Sequence, residues 1–420
     1  MIRPLRSGAL ALLLASPTMP GAIQAAALAQ AGPASSASGG PVLVAPPPPP
    51  APAPAPVWRR DTAEELLRYV EGVGAEGLDP AAYSQDRLRA VIATGNEAAI
   101  TPVANQVFLK LAADLSGGSV RGRNRVEWHM PDAGLDAAGQ QRLLAQVTRG
   151  GAIGATLDLL LPIHPQYAGL KRALAGTAPD DTARRDLIRA NMERWRWMPR
   201  NLGARHVLVN VPAFTAAIVE DGRVIARHRA VVGARRTATP QLSATVTGVT
   251  LNPWWNVPQS IIAENGGNFG AGYEVTRTGG GVTVRQPPGP RNALGRVKIE
   301  MPNQYAIYLH DTPSQALFGR AVRAFSHGCI RTQNVRDFAA VLLAPGGQWD
   351  RADIDRAIGT GRNQQVALAT PIPVYIAYFT AAATSDGDIV TYGDIYGRDA
   401  PIRTALNRGA RESTQQASAN

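Results

Sequence analysis

The chain has 420 residues, which at about 150 residues per domain predicts two or three folded units. Hydrophobic residues make up 45% and charged residues 18% of the sequence, so the chain as a whole is neither disordered nor fibrous. A formal net charge of +11 favours binding to an anionic surface or polymer, without identifying nucleic acid. A single cysteine, Cys329, excludes an intramolecular disulfide framework and a zinc site built from several thiolates.

The N-terminus has the pattern of a secretory signal peptide. Arg3 and Arg6 precede an apolar run over residues 8–15, and small-residue cleavage sites follow it. We predict a signal peptide at residues 1–31, which implies export from the cytoplasm. The apolar run is shorter than the roughly 20 residues that span a bilayer, and no later segment is continuously apolar over that length. No membrane span is therefore expected in the mature chain.

Two segments of different composition follow. Residues 32–60 are rich in Ala and Pro and predict an extended linker that cannot pack a core. Residues 61–190 predict a helical domain, because apolar residues recur at spacings of three and four. These helical patterns cover residues 63–70, 86–92, 103–115, 137–147 and 183–197. Within this region Arg121, Arg123 and Arg125 form a basic strip that could attract an acidic glycan, but a solvated surface is the favoured interpretation.

From about residue 200 onward the apolar period changes to that of strands. Strand patterns cover residues 206–211, 215–219, 223–232, 243–251, 281–285, 297–300, 306–310 and 373–379. Asp221-Gly222 suits the positive φ angles of a type I′ hairpin turn. Short helices are predicted at residues 334–343 and 353–358. The sequence thus predicts an α+β protein, with a mainly β domain at residues 191–400 and a flexible tail at residues 401–420.

A Gly-rich segment, about residues 261–290, interrupts the strands. Its low apolar content predicts a mobile flap over a site rather than part of the core. A phosphate-binding loop is not expected, because the sequence has neither a Gly-Lys-Ser/Thr run nor a strand-to-helix dinucleotide pattern.

The densest group of reactive side chains lies at residues 308–312, Tyr-Leu-His-Asp-Thr, and 326–331, Ser-His-Gly-Cys-Ile-Arg. A histidine within hydrogen-bond range of a thiol can accept its proton, so His310 and Cys329 would form a nucleophilic pair if their strands lie adjacent. Gly328 allows close approach of the backbone, and the N–H groups of Gly328 and Cys329 could stabilise an oxyanion.

Two other interpretations remain open from the residues alone. A lone cysteine is most often a small buried hydrophobe, so an inert Cys329 is about as well supported as a nucleophile. A metal site is less favoured, because its candidate ligands lack the compact paired spacing of zinc motifs. Those candidates are His310, Asp311, His327 and Cys329.

The same residues resemble the signature of L,D-transpeptidases with a YkuD-type catalytic domain, in which Ser-His-Gly-Cys-Ile-Arg follows a strand ending in Ile-Tyr-Leu-His-Asp-Thr-Pro. Further matching runs lie at residues 252–258, 292–295 and 394–399. The resemblance covers about residues 62–399 and extends to the large periplasmic subgroup, in which a helical scaffold precedes the catalytic domain. It implies a periplasmic location and a catalytic domain at residues 191–400.

The chain departs from that subgroup in one respect. The subgroup commonly carries a small peptidoglycan-binding domain between scaffold and catalytic parts, yet only residues 176–189 are available for it here. Glycan targeting would then depend on the scaffold, on the positive charge or on the catalytic cleft itself.

The resemblance implies acyl transfer between peptidoglycan stem peptides. Cys329 corresponds to the family's nucleophile and His310 to its general base. The thioester formed from a tetrapeptide donor would pass to the side-chain amine of a second stem, giving a 3,3 cross-link. The oxyanion hole corresponds to the backbone of His327, Gly328 and Cys329, while Ser326 is expected to hold the turn. Candidate substrate-binding residues are Arg331, Tyr308 and Trp254.

No metal or organic cofactor is expected, because a thiolate, a base and backbone donors suffice for acyl exchange. The expected partners are peptidoglycan tetrapeptide stems, as donor and acceptor, with a carbapenem as a covalent inhibitor and no nucleic acid.

Three alternative functions remain. An L,D-carboxypeptidase, or a transferase that attaches an outer-membrane protein to peptidoglycan, would use the same residues, whereas a non-catalytic peptidoglycan-binding protein would not need Cys329. We also expect a thiolate–imidazolium pair, in which Cys329 is alkylated at a pH where an ordinary thiol, with a pKa of about 8.5, is unreactive.

Overall fold

The computed structural model describes residues 57–384 and 386–407. The predicted signal peptide, most of the predicted linker and residues 408–420 of the predicted tail lie outside these residues. No helix in the described part of the chain is long and apolar enough to cross a membrane.

The N-terminal part of the described chain is helical, as predicted. Its helices are α1 (Arg60–Gly72), α2 (Gln85–Ala93), α3 (Glu97–Gly117), α4 (Ala137–Thr148), α5 (Ile153–Asp158), α6 (Pro165–Ala175) and α7 (Thr182–Trp197). Helix α3 contacts α1, α2, α4 and α7. Residues 98, 102, 106 and 110 form an exposed stripe along the helix, and most of its buried residues lie on the other sides. Asn96 caps its N-terminus through a hydrogen bond of 3.0 Å from the Ala98 N–H.

The predicted basic strip is not a solvated surface throughout. Arg121 donates hydrogen bonds to the Ala113 and Gly117 carbonyls, and Arg125 donates to the Gly117 and Val120 carbonyls. These carbonyls lie at and just beyond the C-terminal end of α3, where backbone acceptors lack helical partners and cations are favoured. Two of the three arginines therefore cap a helix, whereas Arg123 is exposed.

The C-terminal part is built on a ten-stranded sheet. Its strands are β1 (Trp128–His129), β2 (Arg205–Asn210), β3 (Thr215–Glu220), β4 (Arg223–Gly233), β5 (Gln241–Leu251), β9 (Val297–Glu300), β10 (Leu309–His310), β11 (Ala324–Ser326), β12 (Ile330–Thr332) and β13 (Gln364–Ala377). The order is β1-β5-β13-β2-β3-β4-β12-β10-β9, with β11 beside β4. Because β9 also pairs with β5, eight of these strands form a closed ring.

The main apolar core belongs to this sheet. It includes Val207 and Val209 of β2, and also Phe338 and Leu342 of helix α9 (Val335–Leu343) and Ile354 of helix α10 (Arg351–Gly359). The α+β prediction is confirmed: helices come first and a mainly β domain follows.

The predicted hairpin turn is present between β3 and β4. Glu220 pairs with Arg223, and the two intervening residues, Asp221 and Gly222, have φ angles of 48° and 75°. Positive φ at both central residues is the requirement of a type I′ turn, which explains the Asp-Gly sequence.

Two strand predictions differ from the structure. The strand predicted at residues 306–310 is reduced to Leu309–His310, because Ala306 has a φ of 52° and the preceding chain forms a turn. The strand predicted at residues 373–379 begins earlier, at Gln364. Its pairing with β5 shifts register between Ala367 and Ile372, in the segment that contains Pro371, so an irregularity lets the strand continue past a proline.

The Gly-rich segment folds as a small unit rather than as a plain loop. It consists of β6 (Trp255–Asn256), α8 (Gln259–Glu264), β7 (Glu274–Thr278) and β8 (Gly281–Gln286). The three strands form a sheet in the order β6-β8-β7, and Val257, Ile262 and Val284 form its own apolar cluster. We call this unit, residues 255–286, the flap.

The predicted domain limits need three corrections. The limit between residues 190 and 191 falls inside α7, a single continuous helix. Residues 401–406, assigned to a flexible tail, belong to helix α11 (Asp399–Leu406), which packs on α7. Trp58, assigned to the linker, is fully buried, and its indole N–H donates to Asn105 at 2.7 Å. A two-stranded sheet of β14 (Ala381–Ala383) and β15 (Ile389–Thr391) precedes α11.

Helix α7 joins the two parts through a buried ion pair. Arg194 Nη1 lies 2.7 Å from Asp399 Oδ1, and both side chains are at least 95% buried. Removing one partner of a buried pair leaves the other charge uncompensated.

Arg194→Ala should therefore lower the free energy of unfolding by about 3 kcal/mol, measured by urea denaturation. Arg184→Ala on the same helix is the matched control, because the Arg184–Asp388 pair is exposed and such pairs contribute at most about 1 kcal/mol. Equal losses of unfolding free energy in the two variants would show that Arg194 does not stabilise the buried charge of Asp399.

Candidate active site

The pairing of β10 with β12 brings the two reactive motifs together. The strands are parallel, with Leu309 opposite Ile330 and His310 opposite Arg331. Side chains alternate between the two faces of a strand. Leu309 and Ile330 are fully buried in the main core, so Tyr308, His310, Cys329 and Arg331 all lie on the opposite face.

Those four side chains line a cavity of about 290 Å³. The flap contributes Trp255, Pro258, Ser260 and Ile261, and the remaining walls come from residues 293–294, 305–307 and 326–327. Trp254, the predicted substrate-binding residue, is not in the wall: its ring lies 4.5 Å from the Arg285 guanidinium. Its neighbour Trp255 lines the cavity instead, because successive residues of a strand face opposite ways.

Burial determines the protonation states of the candidate pair. It lowers the pKa of His310 to about 3, and the nearby Arg331 charge acts in the same direction. Burial raises the pKa of the Cys329 thiol, although hydrogen bonds from Tyr308 and the charges of Lys298 and Arg331 oppose it. Both shifts favour a neutral thiol and a neutral imidazole over the expected thiolate–imidazolium pair.

The loop that carries the cysteine is closed by Ser326. The Ser326 hydroxyl donates to the Cys329 carbonyl at 2.5 Å and accepts from the Gly328 N–H at 3.2 Å. Gly328 has a φ of 116°, a conformation that side chains disfavour, which explains the glycine. Because the Gly328 N–H is already engaged, it is not the free oxyanion donor that the sequence suggested.

Thr239 orients the next peptide group. The buried Thr239 hydroxyl donates to the Gly328 carbonyl at 2.8 Å and accepts from the Gly233 N–H at 2.9 Å. The C=O and N–H of a trans peptide point in opposite directions. The Cys329 N–H is thus held pointing away from Thr239, and no acceptor among the described residues bonds to it. It remains available for a ligand oxygen.

The C-terminal Asp-Ile-Tyr-Gly-Arg-Asp run supports this arrangement. The Tyr396 hydroxyl donates to the Gly233 carbonyl at 2.5 Å and accepts from the Thr239 N–H at 3.3 Å. Arg398 donates to the Thr239 carbonyl at 3.1 Å. The run therefore braces the residues that hold the cysteine loop, a role that sequence reasoning did not assign to it.

Asn303, which sequence reasoning also missed, shapes the opposite wall. Its amide group donates to the Met301 and Ile307 carbonyls and accepts from the Tyr305 and Ile307 N–H groups. Asn side chains commonly fix a turn by bonding to backbone groups. An Asn within residues 301–307 was therefore the sequence signal that could have predicted this turn.

Arg331 places a positive charge in the wall of the cavity, and Lys298 lies beside that wall. Arg331 lines the cavity, and its Nε is buried without a hydrogen-bond partner among the described residues. Lys298, on β9 opposite His310, lies 4.9 Å from the Tyr308 ring centroid and binds Glu300 at 2.8 Å. Because no carbonyl in the described part of the chain accepts a hydrogen bond from Arg331, its guanidinium can bind an anionic group.

Two other motif residues, His327 and Asp311, have partners outside the candidate pair. His327 lines the cavity mouth, but its side chain is about half exposed and binds Glu264 of the flap, with Nε2 2.9 Å from Oε2. The Asp311 carboxylate accepts from the Arg296 N–H at 2.8 Å. Within the described part of the chain, no group of three or more His, Cys, Asp or Glu residues is arranged to hold a metal ion.

Two models of known protein families match the chain. The family model of the YkuD L,D-transpeptidase catalytic domain matches residues 204–376, and that of the Scaffold domain matches residues 51–174. A curated putative L,D-transpeptidase of Haemophilus influenzae is 31% identical in an alignment of 225 positions, and the alignment covers 47% of this chain and 45% of that protein. The match thus spans less than half of that relative.

Solved structures of L,D-transpeptidases are also similar in part. One from Mycobacterium smegmatis has 14% identity and a TM-score of 0.23, covering 41% of this chain and 58% of that one. L,D-transpeptidase 3 from Mycobacterium tuberculosis has 15% identity and a TM-score of 0.24, covering 41% and 61%.

The neutral pair predicts slow alkylation of Cys329 near neutral pH. The alkylation rate should rise with a midpoint above the value of about 8.5 for an ordinary thiol, because burial raises the pKa of Cys329. The measurement is the iodoacetamide rate against pH, and it reports one site because the chain has a single cysteine.

The control for this titration is the same protein in urea, whose midpoint should return to about 8.5. A folded-state midpoint at or below that of the unfolded chain would contradict the neutral pair.

Proposed function

Because the chain carries a YkuD L,D-transpeptidase catalytic domain behind a Scaffold domain, we propose that it is a peptidoglycan L,D-transpeptidase that forms 3,3 cross-links. The observation that carries the proposal is the position of Cys329 and His310 on one face of a parallel strand pair, at the wall of a cavity. We also propose a periplasmic location, in keeping with the predicted signal peptide.

The first half-reaction forms a thioester. Cys329 Sγ attacks the carbonyl carbon of the third residue, a diamino acid, of a tetrapeptide stem while its proton passes to His310. Collapse of the tetrahedral intermediate breaks the peptide bond, and His310 returns the proton to the amine of the departing D-alanine. Attack and proton transfer are coupled, because burial disfavours a separate thiolate and imidazolium.

Two features of the cavity support this step. The Cys329 N–H, held by the Thr239 contact to Gly328, is the proposed donor to the developing oxyanion. The charges of Arg331 and Lys298 favour negative charge near the sulfur, and Arg331 is proposed to bind the carboxylate of the donor's terminal D-alanine.

The second half-reaction returns the thiol. An amine of a second stem attacks the thioester carbonyl, loses a proton to His310 and displaces the sulfur, which takes that proton back. Water competes with the amine, so the flap residues that cover the cavity, Trp255 and Ile261 among them, are proposed to protect the thioester from hydrolysis.

Intact-protein mass spectrometry tests the proposal. Incubation with a disaccharide-tetrapeptide should add the mass of the donor minus D-alanine to the wild-type protein and nothing to Cys329→Ala. A carbapenem should also acylate only the wild type. Product analysis should then find 3,3-linked dimers. Tripeptide alone would indicate an L,D-carboxypeptidase, and an unmodified wild-type protein would contradict both activities.

Thr239→Val should slow acylation about tenfold, less than the hundredfold or more lost when an oxyanion donor is itself removed. The variant preserves shape but loses the hydroxyl that fixes the Gly328 carbonyl. The acylation rate should fall while the KM for the tetrapeptide stays within about twofold, because the contact serves the transition state.

Thr239→Ser is the control for this variant. It keeps the hydroxyl and should restore most of the acylation rate. A serine variant as slow as the valine variant would show that the methyl group, not the hydrogen bond, matters.

A further inference from the structure

A carboxylate at the mouth of the cavity has no place in the first half-reaction. Glu264 ends helix α8 of the flap, three residues after Ile261. Residues three apart on a helix share a face, and Ile261 lines the cavity, so Glu264 lies on the same side of α8, next to His327 of the cavity wall. Its Oε2 lies 2.9 Å from His327 Nε2, and its side chain is 50% exposed.

The other carboxylates near the cavity are already engaged. Both oxygens of Glu300 are bonded, one to Lys298 at 2.8 Å and the other to Thr250 at 2.5 Å. Asp311 accepts from the Arg296 N–H and from Gln315. Among the described residues the charged partners of Glu264 are His327 and, at 3.7 Å, Arg236, a side chain that is 87% exposed. A ligand cation can replace so weak a surface pair at little cost.

Charge therefore differs between the two sides of the cavity. Arg331 in the wall and Lys298 beside Tyr308 are positive, while Glu264, beside His327 at the mouth, is negative. A tetrapeptide donor brings a carboxylate, which suits the positive side. The second substrate brings a primary amine, which is a cation near neutral pH and suits the mouth.

We propose that Glu264 is the docking carboxylate for the primary ammonium group of the acceptor. The inference rests on the proposed transpeptidase function and concerns recognition before bond formation. The ammonium binds the Glu264 carboxylate at the mouth, beside His327, which lines the same cavity as Cys329. Glu264 thereby favours an amine over water as the group that meets the thioester.

Glu264→Gln tests this, with Glu274→Gln as the matched control. Glu274 lies on the same flap, but it binds Arg285 away from this cavity, so both variants lose one flap carboxylate. With an acyl-enzyme formed from the tetrapeptide, Glu264→Gln should raise the KM for a stem acceptor three- to fivefold, the effect of one partly exposed ion pair, with kcat within about twofold. Glu274→Gln should leave this KM unchanged.

Hydroxylamine separates charge recognition from closure of the flap. It attacks thioesters and is mostly uncharged near neutral pH, so Glu264→Gln should leave the KM for hydroxylamine unchanged. Added salt should raise the wild-type KM for the stem acceptor more than that of Glu264→Gln.

The outcomes are distinguishable. Equal KM values for the stem acceptor in the two glutamine variants would overturn the role of Glu264 while the proposed function stands. The same conclusion would follow if Glu264→Gln raised the KM for hydroxylamine as much as the KM for the stem acceptor. A wild-type protein that the tetrapeptide does not acylate would overturn both.

Discussion

The site depends on one constraint, the parallel pairing of two very short strands, β10 and β12. The two-residue period of a strand places Leu309 and Ile330 in the apolar core, where they cannot move without opening it. Tyr308 and His310 flank Leu309 in the chain, and Cys329 and Arg331 flank Ile330. These four side chains must therefore face the cavity. Core packing thus fixes which groups meet, and a register shift of one residue would bury all four.

The loop that bears Cys329 is supported from distant parts of the chain. Thr239, at the end of a connection between strands, holds the Gly328 carbonyl, and Tyr396 and Arg398 in turn hold the backbone around Thr239. Asp399 follows directly and pairs with Arg194 of α7. Residues 377–407 and α7 lie outside both matched family regions, yet contacts run through them to the reactive loop.

Electrostatics in the cavity are a balance between burial and charge. Burial favours neutral forms of both members of the pair, whereas Arg331 and Lys298 favour an anion at sulfur. Such a site keeps the thiol protonated at rest and stabilises negative charge when a substrate carbonyl accepts it. The same positive charge, opposed by Glu264 at the mouth, gives the cavity two sides of different sign.

The sequence alone determined what depends on local pattern. Helical spacing, strand alternation and the Asp221-Gly222 turn follow from the chemistry of neighbouring residues, and so did the identity of the candidate pair, since the chain has one cysteine and a motif around it. The sequence alone did not predict contacts between residues that are distant in the chain. The choice of Trp255 over Trp254, the engagement of the Gly328 N–H, the brace by Thr239 and the neutral state of His310 were decided by the tertiary structure. Each depends on which groups are buried together, and burial is a property of the packed chain, not of a sequence window.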